Sequence, residues 1–238
     1  MSGHSKWSTI KHKKAALDAK RSNVFTKLAK DISVAAREGG DPDMNFKLRM
    51  AMDRARSSNM PKDNIERAIK AGTGENKDGV IIEELIYEGY GPEQVAILIK
   101  TATDNKNRTL SEVRNALNKN GGKMVEGGSV SWQFSQVGVL EIEKSKIKDE
   151  ELEMIFIEAN VNDYKKEEDG WVVYTEMTDL QKVKESLEIA GLKVLTAFIG
   201  YVAKDTIEIS DKAQESYEKL LMALDQQDDV VDIFDNLN

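Results

Sequence analysis

With 238 residues, 40% of them hydrophobic and 32% charged, the chain has material for one to three small cores and no apolar run near the roughly 20 residues needed to span a bilayer. The absence of cysteine excludes disulfides, thiolate metal sites and cysteine nucleophiles, and with no apolar signal region the expected compartment is the cytoplasm. The formal charge is −8. That acidity is unevenly spread: the first thirty residues carry seven Lys and Arg21 against Asp18 alone, a net of +7, which leaves −15 for the rest.

A basic arm on an acidic body points to a polyanion, and the commonest one inside cells is nucleic acid. A solvated tail would carry the same lysines. Trp7, Ile10, Ala15, Ala16 and Leu17 lie among the cations, however, and an aromatic between lysines can stack on a base or anchor the arm to the body. The nucleic-acid contacts expected from this reading are His4, Lys6, Trp7, Lys11, His12, Lys13, Lys14, Lys20, Arg21 and Lys27.

The helical spacing of Phe25, Leu28, Ile32 and Ala35 predicts a first helix, stopped by the Gly39, Gly40, Asp41, Pro42 breaker. Met44, Leu48, Met52 and Ala55 predict a second, whose Lys47, Arg49, Arg54 and Arg56 read as a solvated face with intrahelical ion pairs rather than a second binding surface. Pro61 opens a third, with Ile65, Ala68 and Ile69 inward and Gly72 as its stop. The polar stretch GTGENKDG then reads as a linker, and it lacks the Gly-Lys-Ser/Thr of a phosphate loop.

From residue 80 the period shortens. A strand over 95–99 is followed by the polar loop Asp104, Asn105, Lys106, Asn107, Arg108 and by a capping box, Thr109 to Glu112, that opens a helix. Strands over 137–142, near Tyr164, over 171–175 and over 193–202, with two helices between them, give the order β-α-β-β-α-β of a ferredoxin-like sandwich. The remaining strand over 206–209, helix around Tyr217 and Leu224, and strand over 230–234 are too few to bury a core alone. The expected class is therefore α+β: a helical N-terminal domain followed by two ferredoxin-like α/β sandwich domains, one inserted in the other. The expected boundaries are 1–78, then 79–132 with 204–238, and 133–203 as the insert.

Chemistry for catalysis is sparse. His4 and His12, the only histidines, make a poor metal site without cysteines or an acid pair, and a triad would have to be built on the arm. Glu83 with Glu84, Glu167 with Glu168 and Asp228 with Asp229 read as solvated faces and turns. We expect no enzyme, no catalytic residue, no metal, no cofactor, no small-molecule substrate and no membrane partner, with a monomer as the oligomeric state. A second binding site is open at Asn105, Lys106, Asn107 and Arg108, where amide, Lys and Arg groups precede a helix N-terminus; the same loop reads equally as local backbone capping.

The segments GHSKWSTIKHKKAALDAKR, FTKL, MPKDNIERAIKAGTG, YEGYGP, TDNKNRT and GSVSWQF, in this order and spacing, resemble the YebC/PmpR family, which includes the mitochondrial translational activator of cytochrome c oxidase. The resemblance runs along essentially the whole chain. It implies a three-domain protein, helical first and sandwich-like after, that regulates gene expression as a DNA-binding transcriptional regulator or, in some members, on the ribosome in translation. It places His4, Lys6, Trp7, Lys11, His12, Lys13 and Lys14 in the family's basic signature, extended by Lys20 and Arg21. One departure is Glu93 and Gln94 after YEGYGP, where a small glycine-rich continuation is more usual. The partner readings are promoter DNA, ribosomal RNA and, as a different class, a protein bound by the acidic sandwich faces.

Overall fold

The computed structural model describes residues 19–75 and 81–238. Three helices come first: α1 (Ala19–Ala36), α2 (Phe46–Ser57) and α3 (Lys62–Gly72). Then follow β1 (Glu83–Tyr90), β2 (Ala96–Thr103), α4 (Lys106–Lys119), β3 (Lys123–Val125), β4 (Phe134–Glu143), α5 (Asp149–Glu158), β5 (Asp163–Glu167), β6 (Gly170–Thr175), α6 (Leu180–Ile189), β7 (Val194–Ala203), α7 (Asp211–Asp225) and β8 (Val230–Asp235). No described helix is long and apolar enough to cross a membrane.

The helical region buries Leu28, Ile32 and Ala36 of α1 against Leu48, Met52 and Ala55 of α2 and Ile65 and Ala68 of α3, the periodic positions of the sequence. Asn45 closes the α1–α2 corner: its Oδ1 accepts from the Leu48 N–H at 3.0 Å and its amide donates to the carbonyls of Ala35 and Gly39. Met44, expected on the inner face of the second helix, is exposed because the helix starts after it. Gly72 does more than end a helix. It lies inside α3, where a Cβ would stand 2.3 Å from the Ser33 carbonyl oxygen, so its missing side chain lets α3 close on α1.

The two sheets are four-stranded and antiparallel, in the orders β3-β1-β2-β8 and β5-β6-β4-β7. The second has the β-α-β-β-α-β order expected of it. The first departs from the expected ferredoxin-like order: the β1–β2 hairpin is central, β3 flanks it on one side, and β8 crosses back from the C-terminus to pair with β2 on the other. The expected strand over 206–209 supplies only a single bridge, Ile207 to Leu237, because the short crossing from β7 to α7 runs past the end of β8 rather than beside it.

The continuous apolar run of β2 has a physical reason. Ile97 and Ile99 face α4 and α7 in one core, with Val113, Leu117, Tyr217, Leu221 and Leu224. Ala96 and Leu98 face the other way, into a cluster with Phe134 and Ala203, which stand at the ends of β4 and β7. Both faces of this strand are therefore covered, and alternation disappears.

The turn after β1 explains the departure at residues 93 and 94. Glu93 and Gln94 have φ of 51° and 65°, the left-handed region where glycine carries no steric penalty. This chain offsets the strain at Glu93 with its carboxylate, which accepts from the Ser210 N–H at 3.0 Å and the Ser210 Oγ–H at 2.6 Å.

Candidate nucleic-acid interface

His4, Lys6, Trp7, Lys11, His12, Lys13 and Lys14 lie outside the described residues, as does the 76–80 part of the expected linker. Lys20 and Arg21 belong to the first turn of α1.

Nearly two helical turns further on, the structure gives Lys27 a different partner from the phosphate expected of it. Lys27 is 8% exposed, and its Nζ donates to Asp225 Oδ1 at 2.7 Å and to the Asp225 carbonyl at 2.5 Å. Lys30, three residues on and hence on the same helix face, donates to Asp229 Oδ1 at 2.5 Å and to the Asp228 carbonyl at 2.9 Å. Together they seat α1 on the corner between α7 and β8. Lys27 is thus a structural tie, with its charge already matched.

The loop 105–108 also differs from expectation. Helix α4 starts at Lys106 and is capped by Asn105 rather than by Thr109, four residues early, because the Asn105 side chain accepts from the Arg108 N–H. Asn107 is exposed, and its carbonyl accepts from Ser111 Oγ. Lys106 pairs with Glu83 at 2.5 Å. Arg108 donates to both Asp104 and Asp229 at 2.8 Å. Thr109 turns its hydroxyl to Asp229 Oδ2 at 2.6 Å instead of capping.

Asp229 is the centre of this cluster. It is 1% exposed and accepts from Lys30, Arg108, Thr103 and Thr109. Burial alone would raise its pKa; the hydrogen bonds from Lys30, Thr109 and Arg108 outweigh burial and hold the carboxyl well below the ordinary 3.8. A carboxylate of the protein itself therefore takes the Arg108 guanidinium and the Thr109 hydroxyl at the start of α4. The cleft above it, about 470 Å³, sets Asp104, Glu112, Asp228 and Asp229 against Lys30 and Arg108, a balance that disfavours a second polyanion.

Arg54 corrects the reading of α2 as a solvated face. Its guanidinium makes a two-pronged pair with Asp232 of β8 at 2.7 and 3.1 Å, approaches Asp31 of α1 at 3.8 Å and lies over the Phe198 ring of β7 at 5.2 Å. Lys100 of β2 joins from below, 2.9 Å from Glu84 and 3.8 Å from Asp31. Burial would lower the Lys100 pKa, but Asp31, Glu84 and Asp232 outweigh it and raise it. One charged junction thus ties the helices to both sheets. Arg56 behaves as expected, pairing with Asp53 within the helix at 3.0 Å, and Lys47 is exposed, paired with Glu38 at 2.6 Å.

These partners were hard to see in sequence. Asp225, Asp229 and Asp232 come from the run DQQDDVVD, in which Asp228 and Asp229 read as a solvated face or turn and Asp232 falls in the expected strand over 230–234. The signal available was position: so many acids between a buried helix and a buried strand leave little room for all of them to be solvated.

Comparison with known proteins places the whole chain. Residues 5–75 match the TACO1/YebC protein N-terminal domain, and residues 82–237 match the TACO1/YebC second and third domain. The chain belongs to the TACO1/YebC family. Among its TACO1/YebC relatives, a probable transcriptional regulatory protein of Thermoanaerobacter pseudethanolicus is 46% identical, the alignment covering 100% of this chain and 97% of the relative. One of the same name from Thermotoga maritima is 50% identical over 99% of this chain and 93% of its own length. The crystal structure of a conserved hypothetical protein from Aquifex aeolicus superposes with a TM-score of 0.91 at 41% identity, covering 98% of this chain and 97% of that one.

Proposed function

We propose that this TACO1/YebC chain is a non-enzymatic, nucleic-acid-binding regulator of gene expression, with DNA as its partner and residues 1–21 as its phosphate-contacting element. The observation that supports this most directly is the partition of charge. The body cations that also looked available, Lys27, Lys106 and Arg108, each have a carboxylate partner in the fold, whereas residues 1–21 hold six Lys and Arg against Asp18. The names of the relatives, probable transcriptional regulatory protein, support the regulatory part. Lys6, Lys11, Lys13, Lys14, Lys20 and Arg21 meet phosphates in this reading, and Trp7, His4 and His12 add stacking or hydrogen bonds. Contacts of this kind position a duplex without reading its sequence.

The test changes Lys11, Lys13 and Lys14 together to Ala and follows binding of a fluorescein-labelled DNA duplex by anisotropy. Binding weakens while the melting temperature stays put, because exposed charges contribute little to stability and much to phosphate attraction. Unchanged duplex affinity contradicts the proposal, and a preference for a structured ribosomal RNA fragment over the duplex transfers it to the ribosome.

A further inference from the structure

Trp132 is 66% exposed, yet the turn that carries it is tied to the body by a buried carboxylate. The Glu88 side chain, 6% exposed, accepts three backbone N–H groups from that turn: Gly128 at 2.7 Å, Val130 at 2.5 Å and Ser131 at 3.0 Å. Val130 and Phe134 on either side are buried in the cluster between the two sheets. The indole N–H is already satisfied by the Ser129 carbonyl at 3.0 Å. What remains open is the apolar surface of the ring.

The place matters as much as the residue. Trp132 sits where the chain leaves the first sandwich for the inserted one, and the returning chain meets it there. The Lys204 N–H donates to the Gln133 carbonyl at 2.8 Å, and Lys204 Nζ donates to the Trp132 carbonyl at 2.7 Å. Lys123 lies 5.5 Å over the ring of Tyr90, whose hydroxyl accepts from Gln133 at 3.4 Å. Both lysines are exposed. A Cβ built at Gly127 or Gly128 would meet nothing within 4 Å, so the approach beside the ring is open.

A large aromatic surface on a pre-ordered turn, its polar edge internally bonded, with Lys204 on the Trp132 carbonyl and Lys123 over the Tyr90 ring that Gln133 contacts, has the make-up of a platform for a single unpaired base. We propose that Trp132 is a base-stacking platform for single-stranded nucleic acid at the junction of the two sandwiches. The proposal rests on the nucleic-acid reading above and assigns a second, chemically different contact. Glu126 and Asp205, the acids nearest in sequence, are exposed and balance the two lysines. Stacking rather than charge is then the decisive contribution, and losing it leaves the salt dependence unchanged.

The experiment uses the full chain, and the quenching that reports on Trp132 is the part lost in Trp132→Ala; Trp171 is 7% exposed. A twelve-nucleotide thymidine single strand and a duplex of equal length are titrated into this protein and into versions with Trp132→Ala or Trp132→Tyr. The single strand quenches the fluorescence, Trp132→Ala weakens its binding on the order of 10- to 100-fold with the salt slope intact, and Trp132→Tyr restores most of it. Duplex affinity stays the same in all three. Single-strand binding with no quenching lost and no affinity lost in Trp132→Ala overturns the platform, leaves the nucleic-acid reading standing and makes Trp132 a contact for an apolar protein surface. Failure of the unsubstituted chain to bind either strand form overturns both.

Discussion

The first 21 residues and the rest of the chain carry the same kind of cation and differ in the acids that accompany it in sequence. Lys27, Lys30, Arg54, Lys100 and Arg108 each stand within 4.0 Å of a carboxylate, and the carboxylates come from distant elements: Asp225 at the end of α7, Asp229 before β8, Asp232 in β8, Asp31 in α1. Residues 1–21 have Asp18 and no other acid. Counted charge is therefore a poor guide to usable charge. In the described body it holds α1 and α2 against the sheets, while the excess in the first 21 residues is the charge that the proposed reading assigns to a nucleic-acid partner.

The harshest way to break this comparison is to remove the acids together. A chain ending at residue 203 loses Asp225, Asp229 and Asp232 along with α7 and β8, and strips the core of Tyr217, Leu220, Leu221 and Leu224. Cooperative unfolding of the first sandwich disappears, followed by calorimetry, while the second sheet, whose four strands are all retained, keeps a transition. A smaller break is Arg54→Ala, which leaves Asp232 and Asp31 facing each other in a partly buried site. It costs about 3 kcal/mol in urea denaturation and leaves duplex affinity unchanged.

Acid resolves the Asp229 cluster. Its folded pKa lies below the unfolded one, so the stabilisation is complete above the ordinary 3.8 and is lost as pH falls from there through the folded value. Asp229→Asn therefore costs more at pH 7 than at about pH 2.5, and denaturant midpoints at the two pH values measure the difference. The smallest contrast sharpens the comparison residue by residue. Lys27→Ala costs about 1 to 3 kcal/mol of stability and nothing in binding, because it strands a partly buried acceptor pair; Lys13→Ala does the reverse.

The sequence carried the three helices, the mixed α+β class and the strand order of the second sheet because periodicity reports burial, and burial dominates folding. It misplaced what depends on long-range partners. Lys27 looks like an arm residue until α7 brings Asp225 to it across 198 positions. Arg54 looks like a surface arginine until β8 supplies Asp232 and β7 supplies Phe198. Asn105 and Thr109 are both competent caps, and the choice between them follows from Asp229, which claims the Thr109 hydroxyl. Trp132 was visible only as part of a motif. Its exposure depends on Glu88, 44 residues earlier, pinning the turn that displays it.

The measurement that tests the central claim most directly is a salt series of duplex binding for the full chain and for one lacking residues 1–18. The deletion leaves α1 whole, since that helix starts at Ala19, and removes Lys6, Lys11, Lys13 and Lys14. With a contribution of about 0.9 per phosphate contact, the log-log slope flattens by about 2 to 4 units and affinity at low salt falls steeply, while the melting temperature holds. A truncated chain that keeps both affinity and slope contradicts the account, because it places the phosphate contacts on the body.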